Sequence, residues 1–267
     1  MTPRSMLVLS CLLFGAPSAG AQTPDTVFLE DLTSPELSAL VRAGKTTILL
    51  PIGGTEQNGP AIALGKHNVR VRMLSRKIAM ALGDALVAPV IAYVPEGGID
   101  PPVAHMRFSG TITVPDEVFE KTLEYAARSF KLHGFTTIVF LGDHGGYQDD
   151  EKRVADRLNR EWAKTPVRVQ AMGEYYAASS SGYAETLRRR GFGAAEIGTH
   201  AGLADTSLML AVDPALVRLD ALRTGTPFSP EQGVYGDPRR ASADLGQLGV
   251  EAIIARTVAA IRKAEQR

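Results

Sequence analysis

The chain has 267 residues, and its 29 Lys and Arg balance its 29 Asp and Glu, so the formal net charge is +0. A hydrophobic content of 45% with 22% charged residues is typical of a globular protein with a sizeable core and excludes a disordered or fibrous chain. Balanced charge argues against a protein whose main partner is nucleic acid, because phosphate binding needs a basic excess or a basic stripe.

The first predicted element is a secretory signal peptide over residues 1–21. A short apolar core at residues 6–14 precedes Ala19-Gly20-Ala21, whose small side chains predict cleavage before Gln22. The apolar run is too short to cross about 30 Å of hydrocarbon as a membrane anchor. Cys11 lies too early for the acylated residue of a lipoprotein. We expect a periplasmic or secreted protein that is free of the membrane after cleavage, and whose mature chain has no Cys.

Short apolar runs rich in β-formers then alternate with helical patterns, which predicts a layered α/β fold in one domain over residues 22–267. The predicted strands are Thr46–Ile52, Ala85–Val94, Thr136–Leu141 and Val167–Met172. The predicted helices are Val69–Leu82, Asp116–His133, Glu151–Ala163, Thr206–Ala211 and Val250–Lys263. Pro and Gly mark loops at Pro95–Pro102 and Gly225–Pro238. The polar stretch Ala177–Thr199 is expected to form a lid or a helical excursion.

Two predicted strands end in glycine-rich loops that carry ionisable side chains. Residues 53–60 read Gly-Gly-Thr-Glu-Gln-Asn-Gly-Pro, and residues 142–146 read Gly-Asp-His-Gly-Gly. Ligands of α/β sheets bind beyond the carboxyl ends of the strands, and glycine lets the backbone turn sharply beside a ligand. Neither loop has the spacing of a phosphate-binding loop. The two loops therefore predict a functional site at this edge of the sheet.

Five segments in order carry further motifs: Leu50–Pro60 (LPIGGTEQNGP), His105–Ile112 (HMRFSGTI), Gly142–Gly146 (GDHGG), His200–Ser207 (HAGLADTS) and Gly233–Pro238 (GVYGDP). Together they resemble the motifs of the creatininase family of metal-dependent amidohydrolases over most of the mature chain. The resemblance implies a three-layer α/β/α sandwich with a mostly parallel central sheet. It also implies a homo-oligomer, often a hexamer.

The same resemblance implies a site for two divalent metal ions, Zn or Mn. Glu56 and His144 match two of the family's ligands, and Asp205 stands where many members have Glu. Two positions depart from the pattern, since Asn58 replaces a His and His67 replaces an Asp that bridges the two metals.

These two replacements weaken the second metal position. A neutral imidazole offers one lone pair to one metal, whereas a carboxylate can link two, and Asn is a weak ligand for Zn²⁺ or Mn²⁺. We therefore expect one ion rather than two, held by Glu56, His67, His144 and Asp205. The carboxylate of Asp143 is a further oxygen that could restore a second ion; its other interpretation is a turn-capping acid.

Further site residues follow from the resemblance and from their neighbours in sequence. His200 and Asp205 are the predicted catalytic residues, with His200 returning a proton to the leaving group. His105, Asn58 and Tyr175 are predicted to contact the substrate. The alternative for His105 is a structural hydrogen bond, and for Tyr175 it is packing.

The predicted function is hydrolysis of a C–N amide bond in a small molecule, of cyclic amide or formamide type, by metal-activated water. Covalent catalysis is disfavoured, because the sequence has no Gly-x-Ser-x-Gly elbow and the mature chain has no Cys. The same site could cleave a lactone or another ester. The alternative from another class is a non-catalytic periplasmic protein that binds small molecules or serves in assembly, which the departures at Asn58 and His67 motivate.

Overall fold

A four-stranded parallel sheet forms the centre of the protein, as described by a computed structural model over residues 24–223 and 227–266. Its strands are β1 (Thr47–Ile52), β2 (Ala85–Val87), β3 (Thr137–Gly142) and β4 (Arg168–Ala171), in the spatial order β2-β1-β3-β4. β1 pairs with β2 and with β3, and β3 pairs with β4. All six residues of β1 are buried, as expected for a central strand of a parallel sheet covered on both faces. The predicted signal peptide lies outside the described residues.

Helices cover both faces of this sheet. They are α1 (Ser34–Arg42), α2 (Lys66–Leu82), α3 (Asp116–Leu132), α4 (Gln148–Glu161), α5 (Gly173–Ala177), α6 (Tyr183–Arg189), α7 (Ala194–Ile197), α8 (Leu203–Val212), α9 (Leu219–Arg223) and α10 (Ala243–Glu265). On one face Leu49 and Val139 pack in a core with residues of α2, α8 and α10. On the other face Ile48 and Phe140 pack in a core with residues of α3 and α4. The predicted three-layer α/β/α sandwich is confirmed.

Several boundaries differ from the predicted ones. The strand predicted over Ala85–Val94 ends at Val87, and Ile91 forms only an isolated bridge to Ile52. Pro89 lies between them and cannot donate a ladder hydrogen bond.

The helical content is larger than predicted. Helix α1 is not among the predicted elements, although Thr33 and Glu36 form its capping box. The stretch Ala177–Thr199 is a helical excursion that contains a π-helical turn at Ala178–Gly182. α2 begins at Lys66, three residues before the predicted start, and this places three further polar side chains, Lys66, His67 and Asn68, on its first turn.

The carboxyl edge of the sheet gathers the loops that follow β1 and β3. The amino-terminal ends of α2 and α8 contribute side chains to the same edge. Within the described residues, none of the helices is both long and apolar enough to span a membrane.

Candidate active site

The site is built on the loops after β1 and β3 and on the first turn of α2. Glu56 lies in the first loop, Asp143 and His144 lie in the second, and His67 lies on α2. Asn58 stabilises the conformation of the first loop, because its Nδ2 donates to the backbone oxygens of Glu56 and Ala63. These backbone contacts place the Glu56 carboxylate opposite His67.

His67 bridges two buried carboxylates. Its Nε2 lies 2.6 Å from Glu56 Oε1, and its Nδ1 lies 2.7 Å from Asp143 Oδ2. Burial and the charge of Lys66 act to lower the pKa of His67, but the Glu56 and Asp143 carboxylates outweigh them and raise it. Because both ring nitrogens lie at hydrogen-bond distance from carboxylate oxygens, both donate, and the ring is a cation held between two anions.

Lys66 and Arg70, on the same turn of α2 as His67, bind the remaining oxygens of this group. Lys66 Nζ lies 3.0 Å from Asp205 Oδ2 and 3.3 Å from Glu56 Oε1. Arg70 donates from Nη1 to Asp205 Oδ1 at 2.9 Å and from Nε to Asp143 Oδ2 at 2.8 Å. Burial alone would raise the pKa of Asp205, but the charges of Lys66 and Arg70 hold it well below its ordinary value. Three carboxylates are thus matched by three cationic side chains of one helix turn.

A second set of polar atoms has no such partner. Glu56 Oε2 and both carboxylate oxygens of Glu96 are buried without a hydrogen-bond partner. His144 Nε2 lies 3.7 Å from Glu56 Oε2 and 3.8 Å from Glu96 Oε2, which is too long for a hydrogen bond. Burial lowers the pKa of His144 to about 4, so the ring is neutral at physiological pH. Burial, and then the charge of Glu56, raise the pKa of Glu96 to about 8.

His105 and His200 lie beside each other and near the Glu56 carboxylate, with their ring centroids 4.3 Å apart. His200 Nε2 lies 2.9 Å from the backbone oxygen of Gln57, and its Nδ1 lies 3.6 Å from Glu56 Oε1. Burial, and then the charge of Lys66, lower the pKa of His200 to about 3. The neutral ring therefore donates from Nε2 to Gln57 and keeps a lone pair at Nδ1.

Two overlapping groups of side chains could hold a metal ion, Glu56–His67–His144 and Glu56–His105–His200. In each group, one ligand atom from every residue lies within 4.8 Å of the others. Glu56 Oε2 and the Glu96 oxygens are buried without a hydrogen-bond partner, which is energetically costly. A divalent cation bound beside them would remove this cost, so the donor set fits such an ion.

These side chains open into a cavity of about 690 Å³. The lining includes His67, Asp143, His144, His105 and His200. It also includes Phe108, Tyr176, Ser179, Ser180, Ser181 and Arg188. The cavity is large enough for a small organic molecule.

The structure brings together five of the predicted site residues, Glu56, His67, His105, His144 and His200. It differs from the prediction at Asp205, whose oxygens bind Lys66, Arg70 and the backbone N–H of Ala201 and do not join the Glu56–His144 group.

The structure also differs at two predicted substrate contacts. Asn58 is buried and outside the cavity lining, because its amide is used on the backbone of its own loop. Tyr175 is fully buried, and its hydroxyl donates to Asp143 Oδ1 at 2.6 Å. The neighbouring Tyr176 is the tyrosine that lines the cavity.

Sequence analysis missed three charged residues of the site, Lys66, Arg70 and Glu96. A signal exists for two of them, because Lys66 and Arg70 are four residues apart and share one helix face with His67 once the helix is started at Lys66. For Glu96 the signal is an acid directly after a buried apolar residue, Val94, and a Pro at the start of a loop.

The layered fold, and the histidines and carboxylates at the carboxyl edge of its sheet, define a three-layer α/β/α protein with a candidate metal centre. The chain belongs to the creatininase family, since the family model described as creatinine amidohydrolase matches residues 30–261.

Two relatives of known name illustrate the range of this family. A creatinine amidohydrolase of Pseudomonas putida is 26% identical over 262 residues, covering 89% of this chain and 97% of the relative. A mycofactocin precursor peptide peptidase of Mycobacterium tuberculosis is 27% identical over 226 residues, covering 75% of this chain and 78% of the relative. The relatives are hydrolases of different substrates, so family membership supports a hydrolase without naming its substrate.

Solved creatininase structures share the fold. A manganese creatininase has a TM-score of 0.73 and 26% identity, and a creatininase variant of zinc–zinc type has a TM-score of 0.72 and 25% identity. Each match covers 91% of this chain and 100% of the solved chain. Structures of the family therefore carry manganese or zinc.

Proposed function

We propose that this protein hydrolyses a C–N amide bond of a small molecule, of cyclic amide or formamide type, and uses one divalent ion, Zn²⁺ or Mn²⁺. The observation that carries the proposal is the convergence of Glu56 Oε2 and His144 Nε2, two unbonded ligand atoms 3.7 Å apart beside the cavity. Catalytic zinc commonly has three protein ligands and one open position.

One ion is favoured over two because protein cations already occupy the other half of the site. Glu56 Oε1, Asp143 and Asp205 are paired with Lys66, His67 and Arg70. A second divalent ion would have to displace these buried pairs, and breaking a buried pair costs about 3–5 kcal/mol. His67 thus orients Glu56 through Oε1 and leaves Oε2 for the ion.

The ion, when bound, polarises a substrate carbonyl and lowers the pKa of water, so that no protein nucleophile is needed. His200 lines the cavity with an unprotonated Nδ1, which is able to accept a proton and deliver it to the leaving nitrogen. The ring of His105 lies against that of His200, tilted by 39° with the centroids 4.3 Å apart, and so helps to keep His200 in place. Such proton transfer contributes about 10²–10⁴-fold to the rate.

The substrate class follows from the cavity and from the named relatives. The names of both relatives describe hydrolysis of C–N bonds, in creatinine and in a precursor peptide. The apolar and hydroxyl-bearing wall at Phe108 and Ser179–Ser181 suits a compact neutral amide. A lactone or another ester would be attacked by the same chemistry and belongs in the same assay.

The proposal is tested with purified protein, depleted of metal with a chelator and then reloaded with Zn²⁺ or Mn²⁺. We expect turnover of at least one cyclic amide, formamide or short peptide with metal and none after chelation. His200→Asn should retain metal binding, measured by mass spectrometry of bound metal, and lose about 10²-fold or more in kcat. Tight substrate binding without turnover under every metal condition would instead support a non-catalytic binding protein.

A further inference from the structure

We propose that Glu96 is a ligand of the divalent ion, together with Glu56 and His144. The inference rests on the proposed function, since it names the residue that completes the metal site of that function. It assigns a role in this chain to a loop residue outside the five motif segments.

The distribution of charge locates the ion on the Glu96 side of the site. Each of the carboxylates Asp143 and Asp205 is bonded to a cationic side chain. Glu96 is the exception among the carboxylates of the site in the described residues, because both of its oxygens are buried and without a hydrogen-bond partner. An unpaired buried carboxylate is costly, and a bound cation removes that cost.

Glu96 and Glu56 each place a carboxylate oxygen near the same nitrogen of His144. Its side chain is completely buried, and its Oε2 lies 3.8 Å from His144 Nε2. His144 Nε2 is in turn 3.7 Å from Glu56 Oε2. Two donors that share an ion at about 2.0–2.2 Å from each can lie up to about 4 Å apart, so the spacing of each carboxylate from His144 fits an ion shared with that nitrogen.

The backbone around Glu96 holds it in this position. Its N–H donates to Thr113 Oγ1 at 2.9 Å. Opposite the carboxylate lies Gly54, with φ +142°, and a Cβ there would come within 2.6 Å of Glu96 Oε1. Glycine at position 54 therefore makes room for the carboxylate beside the site.

His144 is held by a complementary contact. The backbone N–H of Gly146 donates to His144 Nδ1 at 3.1 Å, which leaves Nε2 facing the two carboxylates. The neutral ring then carries its proton at Nε2, and an ion bound at this nitrogen has to displace that proton.

Metal binding to the full chain tests the inference through the variant Glu96→Gln, which replaces the carboxylate by a neutral amide of the same shape. The matched control is Glu151→Gln, because Glu151 is also a buried carboxyl with an unpartnered oxygen but lies on α4 and not on the loop that carries Glu96. Zn²⁺ affinity is measured by titration calorimetry and bound metal by elemental analysis. Loss of even an outer-shell partner costs 10–100-fold in metal affinity, so we expect Glu96→Gln to bind Zn²⁺ about 100-fold or more weakly.

The outcomes separate this inference from the proposed function. One Zn²⁺ per wild-type chain, with weak binding by Glu96→Gln and wild-type binding by Glu151→Gln, supports the inference. Wild-type affinity in Glu96→Gln, or equal losses in both variants, overturns it and leaves the proposed function standing. A wild-type chain that binds no Zn²⁺ or Mn²⁺ overturns both. Anomalous scattering from zinc-loaded crystals gives an independent measurement of the position of the ion. An ion that lies beyond bonding distance of Glu96 overturns the inference.

Discussion

At the scale of single residues, Lys66 neutralises the interior of the site. Its ammonium group is 1% exposed and touches both Glu56 and Asp205. Removing one partner of a buried ion pair leaves an uncompensated charge, which costs about 3–5 kcal/mol. We expect Lys66→Met to lower the free energy of unfolding of metal-free protein by about 3 kcal/mol, measured by urea denaturation.

The control for Lys66 is a lysine in a surface ion pair. Lys121 is 65% exposed and lies 2.9 Å from Glu124. An exposed pair of this kind contributes about 0–1 kcal/mol, so Lys121→Met should change stability by no more than that. Equal stabilities for Lys66→Met and the wild type would contradict the charge balance described for the site.

Glu151 on α4 predicts a pH dependence of stability. Burial raises the pKa of its carboxyl well above the ordinary value, and Oε1 has no hydrogen-bond partner. A pKa raised in the folded state means that the folded protein keeps a proton which the unfolded chain releases above about pH 4.3. This stabilisation is complete below that pH and is lost as the pH rises through the folded-state pKa.

Glu151→Gln removes this titration. We expect the variant to lose less stability than the wild type when the pH is raised from about 5 to about 8, because the carboxyl of the wild-type chain is ionised more readily in the unfolded state than in the folded state. Urea denaturation of both proteins in chelator at each pH measures the difference, and the titration of Glu96 cancels in that comparison. Parallel stability curves would show that Glu151 does not ionise on unfolding in this range.

The sequence predicted those site residues whose location is set by the strand that precedes them. Glu56 and His144 follow buried strands directly, and that rule located them without any tertiary information. The role of Asp205 could not be predicted, because it depends on Lys66 and Arg70 reaching it from 135 or more residues away. Tyr175 and Tyr176 are adjacent and identical in type, and only packing decides that the second one faces the cavity.

At the scale of elements, the contact between α8 and α10 depends on a glycine. A Cβ on Gly246 would overlap the backbone oxygen of Ser207 and come within 2.8 Å of Ala211 Cβ. Alanine is favoured over glycine in a helix by about 1 kcal/mol, but overpacking of a core costs about 1–3 kcal/mol. Because the overlap is with rigid backbone, we expect Gly246→Ala to lower the thermal midpoint and to destabilise the fold by about 1 kcal/mol or more.

Gly193 provides the matched control for this substitution. Its φ of −76° suits any residue, and a Cβ there would meet nothing within 4 Å. Gly193→Ala should therefore stay within about 0.5 kcal/mol of the wild type. A stabilised Gly246→Ala protein would mean that α10 moves away from α8 without cost.

Element prediction succeeded where periodicity and burial agree. The stripe of Phe119 and Leu123 predicted α3 to within one residue at its end, and the apolar run of β1 was predicted to within one residue. The strand after α2 was predicted too long, since its apolar run continues to Val94 while Pro89 interrupts its hydrogen bonding. Apolar content alone does not show where the hydrogen bonding between two strands ends.

At the scale of the whole molecule, export is a prediction from residues 1–21, which lie outside the described residues. Cleavage after Ala21 would leave a mature chain that begins at Gln22 and contains no Cys. We expect the full chain, expressed in a bacterial host, to appear in the periplasmic fraction with this new amino terminus, as read by mass spectrometry. Ala21→Arg should block processing, and an uncleaved wild-type chain in the cytoplasm would contradict the prediction.

Assembly is the second prediction at this scale, and the loop beside the site supplies a surface for it. Tyr93, Ile99 and Val103 are 62%, 68% and 47% exposed, although all three are apolar or aromatic. Large exposed apolar patches mark sites of interaction, and three such side chains within eleven residues of one loop make this loop a candidate contact between subunits. We expect light scattering after gel filtration to give an oligomer, and Ile99→Lys to lower its mass, because a buried lysine would lose its hydration there. Leu132→Lys, at the exposed end of α3, should leave the mass unchanged. A monomeric wild type would contradict the prediction, and equal dissociation by both variants would place the contact elsewhere than at this loop.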